Sequence, residues 1–165
     1  MTGNCRILSV VVFLFGLALL FGASAGANAI TPSPLTSGGR AAPTPRELAV
    51  VRAMNAVRAQ SGVPPLHVGR ALTRAARSHS VDMARRGYFD HGAFVQRLRR
   101  FGVRAPYVGE NLAYGTQPLS AAEIVQMWMT SPPHRQNLLD RGFQRIGVGM
   151  AGGSTKLVTA DFAGR

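Results

Sequence analysis

Only four histidines and seven acidic residues occur among the 165 residues of the chain, so side chains able to move a proton or hold a metal ion are few. Imidazoles and carboxylates are the usual acids, bases and ligands near neutral pH. Local setting accounts for most of them. Glu47 and Glu123 each complete a capping box, in Thr44-Pro45-Arg46-Glu47 and in Ser120-Ala121-Ala122-Glu123, where the acid receives the N-cap N–H. Asp82 and Asp140 stand among arginines as surface partners. His79 falls on the apolar face of a helical stretch, the setting of a core histidine, and His67 in a Pro-rich loop is incidental. Three residues keep no local explanation: His91 after Tyr88-Phe89-Asp90, Glu110 in Val108-Gly109-Glu110-Asn111-Leu112, and His134 after Pro132-Pro133. Each stands near the end of an expected element beside aromatic or glycine residues, where loops can converge on a site. Their separations match no short metal or triad motif. By spacing alone they could equally be three scattered surface residues. Ser131 lies just ahead of His134, but it reads as the cap of a short turn with Pro132 in first position, and no oxyanion hole is assigned to it.

The elements that must position these residues can be read from periodicity. Thr44 to Glu47 opens a first helix, with Leu48, Val51, Met54 or Asn55, and Arg58 at helical spacing; Gly62 and Pro64-Pro65 end it. A second helix is expected over residues 70–86, stopped by Gly87, with Leu72, Ala75, Ala76, His79 and Met83 on one face. A short third helix over 94–101 is basic on its outer face. A fourth starts at Ser120 and carries Ile124, Val125 and Trp128. At the end of the chain, Ile146-Gly147-Val148-Gly149-Met150 and Leu157-Val158-Thr159-Ala160-Asp161-Phe162 flank a Gly-Gly-Ser-Thr turn, an antiparallel hairpin. Helices first and strands last, with no βαβ alternation, predict an α+β fold: an antiparallel sheet covered by helices.

Ahead of the domain, Arg6 and an almost unbroken apolar run over residues 7–21 precede small residues ending in Ala27-Asn28-Ala29. This is the order of a secretory signal. The division expected is a signal peptide over 1–29, a flexible Pro/Ser/Gly-rich linker over 30–45 and one domain over 46–165, with the mature chain starting near Ile30, or Gly26 if Ala23-Ser24-Ala25 is the site cut. The alternative is an uncleaved membrane anchor, against which the apolar run is short of the roughly 20 residues a spanning helix needs. The single cysteine, Cys5, precedes the run. An exported domain without disulfides must be held by its core, and it points to a bacterial rather than an animal source. The net charge is +12, with Lys156 the only lysine among nineteen basic residues. Such a surface attracts polyanions, and the classes named by it are anionic lipid and cell-wall polymer. No basic stripe interleaved with stacking aromatics marks a specific nucleic-acid binder.

Several phrases, in order, resemble the bacterial SCP-like branch of the CAP superfamily. They are Asn55-x-x-Arg58 with Gly62, Pro65 and Leu66; Leu72-x-x-Ala75-Ala76-x-x-His79-Ser80-x-Asp82-Met83-Ala84 followed by Tyr88-Phe89-x-His91; Gly109-Glu110-Asn111-Leu112-Ala113-Tyr114-Gly115; Trp128-Met129-x-Ser131-Pro132-x-His134-Arg135-x-Asn137-Leu138-Leu139; and Phe143-x-x-Ile146-Gly147-Val148-Gly149. The match runs over residues 46–162. It implies a three-layer α-β-α sandwich with a small antiparallel sheet and a cleft where histidines and glutamates meet. Carried over residue by residue, His91 and Glu110 match the first histidine and first glutamate of that cleft, and His134 matches the histidine of bacterial members after Ser-Pro, a partner for His91. Ser131 stands where animal and plant members carry a second glutamate, and their later Gly-His-Tyr-Thr-Gln phrase is absent, so their four-residue set is incomplete here.

Three function classes follow for a secreted, monomeric protein. His91 and His134 could bind Zn²⁺ or another divalent cation, with Glu110 as third ligand or as base, in a metal-dependent hydrolase of wall or extracellular substrates. The protein could be a binding module for an envelope or lipid-like ligand, since some relatives bind sterols or other lipids. It could be a non-catalytic envelope protein in which Glu110 locks both histidines. His91, Glu110 and His134 are the cleft residues in all three, catalytic in the first.

Overall fold

The computed structural model describes residues 6–7, 42–116, 118–153 and 156–165. The proposed cleavage sites, the leader apart from Arg6 and Ile7, and the linker up to residue 41 lie outside the described residues.

Thr44 does what its sequence prescribes. Its hydroxyl accepts from the Glu47 N–H at 3.3 Å while Glu47 accepts from the Thr44 N–H at 2.6 Å, and with Pro45 leading they open α1 (Pro45–Gln60). The remaining helices are α2 (Arg70–Arg86), α3 (Phe94–Arg100), α4 (Ala121–Thr130) and α5 (Pro132–Leu139). Gly87 ends α2 in the left-handed conformation, φ 66°, which glycine adopts without the Cβ penalty of other residues. The strands are β1 (Arg6–Ile7), β2 (His67–Val68), β3 (Tyr107–Gly115), β4 (Phe143–Ala151) and β5 (Lys156–Gly164), in the order β1-β3-β5-β4-β2. The three long strands are antiparallel and the two short edge strands parallel to their neighbours. β1 falls within the expected leader.

Strand alternation sorts the sheet into two faces. Val158, Ala160 and Phe162 of β5 pack with Phe143, Ile146 and Val148 of β4 against Val50, Met54, Ile124, Trp128 and Leu138 of α1, α4 and α5. On the other face, Val108 and Ala163 pack against Leu72, Ala75, Phe94 and Leu98 of α2 and α3. The α-β-α layering and the final hairpin expected from the sequence are both present. Gly147 and Gly149 let α2 lie directly on β4: a Cβ at either would stand 2.1 Å from backbone atoms of that helix, closer than any real packing allows.

One expectation needs correction. Glu110 is not at the edge of a loop; it is the fourth residue of the nine-residue strand β3. The third helix is basic on its outer face as expected, with Arg99 and Arg100 exposed, and it also turns Arg97 inward, where it is buried.

Candidate functional site

Consecutive residues of a strand face opposite ways, and the Gly-Glu-Asn segment of β3 uses this. Glu110 faces the α2/α3 layer and Asn111 the α5 layer. Asn111 donates from Nδ2 to the His134 carbonyl at 2.9 Å and accepts from Asn137 Nδ2 at 2.9 Å, while Asn137 also donates to the Glu110 carbonyl at 3.2 Å. Behind them the Trp128 Nε1–H donates to the Leu112 carbonyl at 2.9 Å. These bonds hold α4 and α5 to the strand that carries Glu110. Gly109 has no side chain because Phe143 would meet a Cβ there at 2.7 Å.

On the other face His91 Nδ1 lies 2.7 Å from Glu110 Oε1. Arg97 binds the second oxygen, Oε2, through Nη2; the same nitrogen reaches Asp161 Oδ1 at 3.4 Å, and Nη1 donates to the His91 carbonyl at 3.3 Å. Glu110 is almost sealed, Asp161 completely so, and His91 keeps 24% of its side chain exposed. Burial, outweighing Arg97, pushes Glu110 up to about 7. Burial and then the charge of Glu110 raise Asp161 well above the carboxylate range. Burial lowers the pKa of His91.

His134 makes no hydrogen bond to this pair among the described residues. Its Nδ1 lies 2.9 Å from Ser131 Oγ, and burial, reinforced by the charge of His91, lowers it to about 4. The expectation that Ser131 acts as a side-chain cap is corrected here. Ser131 occupies the N-cap position, yet its hydroxyl makes no capping bond, because Pro132 and Pro133 leave no N–H in the first two helical positions and the imidazole takes the hydroxyl instead. A base with a pKa near 4 removes little proton density from a hydroxyl at neutral pH, so the contact orients His134 rather than activating Ser131.

Of the residues singled out in the sequence, His91 and Glu110 are in direct contact, while the charge of His91 acts on His134, whose carbonyl accepts from Asn111 beside Glu110. His79 is a buried core histidine, 2.8 Å from the Asp90 carbonyl, with a pKa lowered to about 4 by burial and then by Arg97. Glu47 does more than cap, since Arg77 donates to its Oε1 at 2.7 Å. Asp82 pairs with Arg86 at 3.4 Å, whereas Asp140 accepts from the Tyr107 hydroxyl at 2.5 Å and the Gly142 N–H at 2.6 Å. Arg97 and Asp161 were missed. An acid inside the apolar run from Leu157 to Phe162 was the available signal, because a buried carboxylate demands a partner.

The donor set does not fit a catalytic zinc centre. Such a centre takes three protein ligands, but both oxygens of Glu110 are engaged, by His91 and by Arg97. Among the described residues no group of three or more His, Cys, Asp or Glu could hold a metal ion. What the arrangement can do is hold His91 in one orientation over a buried ionic cluster.

The rest of the α2/α3 layer forms a groove of about 1100 Å³ lined by Arg74, Arg77, Arg85, Arg86, Arg97 and Arg100, with His79 and Tyr88 in its wall. Arg85 and Arg100 make no ion pair among the described residues.

Comparison with known proteins gives a consistent result. The uncharacterized protein YkwD of Bacillus subtilis is 36% identical over 124 residues, which is 72% of this chain and 47% of that protein. An extracellular protein containing an SCP domain from Bacillus anthracis superposes with a TM-score of 0.67 at 30% identity, over 73% of this chain and 40% of that one. A cysteine-rich secretory protein from Staphylococcus aureus shares the fold, with a TM-score of 0.61 at 20% identity over 73% of this chain and 39% of that one. The chain spans less than half the length of each of these relatives. Among the described residues no helix is long and apolar enough to cross a membrane. The model of the cysteine-rich secretory protein family, CAP, matches residues 51–162, and with the sandwich and the Gly-Glu-Asn clamp in place the chain belongs to that family.

Proposed function

We propose that the protein is a secreted binding module for an anionic ligand of the cell envelope, and that the ligand lies in the arginine groove between α2 and α3. The observation that carries this reading is the groove itself. Six arginines line one concavity on a chain whose net charge is +12. Guanidinium groups bind phosphate and carboxylate through two parallel hydrogen bonds, and a concave site raises the local potential. The hydrolase reading has less support, because Glu110 is occupied and His134 is a weak base.

The test is binding of the full chain to vesicles with anionic or zwitterionic head groups and to polyanionic wall polymer, at low and high salt. Binding to the anionic surfaces is expected to weaken steeply with salt, since exposed charges are screened beyond about 10 Å at 0.1 M. Replacing Arg74, Arg85 and Arg100 together by Gln is expected to remove most of it. Equal binding to zwitterionic vesicles, or an undiminished triple variant, would overturn the proposal.

A further inference from the structure

Behind His91 three ionisable side chains meet almost out of contact with water. Arg97 comes from α3, Glu110 from β3 and Asp161 from β5, with side-chain exposures of 8%, 1% and 0%. Arg97 bonds to both acids, which stand directly opposite each other on β3 and β5, and the buried Asp161 Oδ2 has no donor among the described residues. Two ionised carboxylates have no donor between them, so a proton on one of the two acids would supply the donor that Asp161 Oδ2 lacks. The charge balance requires the same, because one guanidinium cannot neutralise two carboxylates in a dry site.

The surroundings supply no second cation. From α2, His79 faces the cluster with its Nε2 on the Asp90 carbonyl. The segment between α2 and α3 brings Asp90 and His91, and α5 brings His134. All three imidazoles have lowered pKa values and are neutral at neutral pH, while Asp90 adds negative charge. Arg97 is also the polar tie between α3 and the sheet, and through the His91 carbonyl it holds the preceding segment.

We infer that Glu110 and Asp161 share one proton at neutral pH, and that this proton together with Arg97 latches α3 and the His91 segment onto the sheet. Alkaline pH strips the proton, leaves a buried net negative charge and releases the latch. Both acids titrate above their ordinary range, Glu110 at about 7 and Asp161 well above the usual value because it is wholly buried. The bound proton therefore contributes stability that is complete below the unfolded carboxylate values and is lost as pH rises through the folded ones. The inference stands whatever the groove binds.

Infrared difference spectroscopy and amide exchange of the full chain test it. A protonated carboxyl band is expected at pH 8, absent from Asp161→Asn. Once intrinsic exchange is corrected for, the opening equilibrium of residues 90–101 is expected to rise about tenfold per pH unit above the folded titration. Asp161→Asn, whose amide can donate to Glu110 without titrating, is expected to flatten that rise. Should this variant not fold, Glu110→Gln and the carboxyl band of the unaltered chain decide. Absence of the band at pH 8, or an equal rise in the variants, would overturn the inference.

Discussion

Arg58 and Arg97 are both buried arginines, one on each side of the sheet, and their surroundings differ in kind. Arg58 is wholly buried and donates to four main-chain carbonyls: Pro64 at 2.7 Å, Leu138 at 2.8 Å, Asp140 at 3.0 Å and Phe143 at 3.2 Å. No carboxylate among the described residues is in ion-pair contact with it, although the charge of Asp140 acts on it from farther away. Arg97 faces Glu110, Asp161 and the His91 carbonyl, and its Nε has no partner among the described residues. Carbonyls do not titrate, so the four hydrogen bonds of the Arg58 cage keep their acceptors between pH 5 and 8 and fasten α1 to the chain around α5 and β4. Carboxyl groups do titrate, so the grip of Arg97 depends on a proton. The first is a staple; the second is a cluster whose charge can change.

The largest expected effect breaks the staple. Arg58→Met removes the donor from four carbonyls at once. At about 1–3 kcal/mol for each buried acceptor left unpaired, the loss is about 4 kcal/mol or more, and urea unfolding should show it unchanged between pH 5 and 8. A marked pH dependence would mean that Arg58 has an ionised partner and that the contrast is false.

Arg97→Met comes next and tests the other half. Breaking a buried ion pair costs about 3–5 kcal/mol, and this cost should be met near pH 8. With no cation left, Glu110 and Asp161 bury no charge once protonated. The variant should therefore recover stability as pH falls toward 5, an acid rescue that Arg58→Met does not show.

His79→Asn should cost about 1–2 kcal/mol at pH 7, the worth of a buried hydrogen bond and some packing. The folded pKa of His79, about 4, lies below the ordinary 6.5. Its contribution is therefore present above 6.5 and lost as pH falls toward 4. The variant should lose less stability than the unaltered chain between pH 6.5 and 4.

The smallest effect concerns Ser131, whose contact with His134 is half-buried and local. Ser131→Ala should cost about 1 kcal/mol or less and raise the His134 pKa little, read by NMR titration. A loss as large as that of Arg97→Met would place Ser131 inside the ionic cluster.

Much of this protein was legible before any coordinates. Both capping boxes, the limits of α2, the closing hairpin and the α+β class follow from short-range rules, because caps, left-handed glycines and alternation act within a few residues, whereas the three-layer arrangement was implied by the family resemblance. Strand β3 was not legible as a strand. Tyr107-Val108-Gly109-Glu110-Asn111 mixes residues that favour strands with residues that disfavour them, and only pairing with β5 over nine positions outweighs that. Likewise Ser131 followed by two prolines reads as a cap until the missing N–H groups and the nearby imidazole are weighed together.

The sequence by itself determined which residues could matter. So few histidines and acids leave His91, Glu110 and His134 unexplained, and the ordered phrases name the family. Only the tertiary structure decided what those residues face. It set Glu110 and Asn111 on opposite sides of one strand, and brought Arg97 and Asp161, 64 positions apart, onto a single buried carboxyl. Burial and charge neighbours depend on contacts between distant segments, and residue type and local spacing do not carry that information.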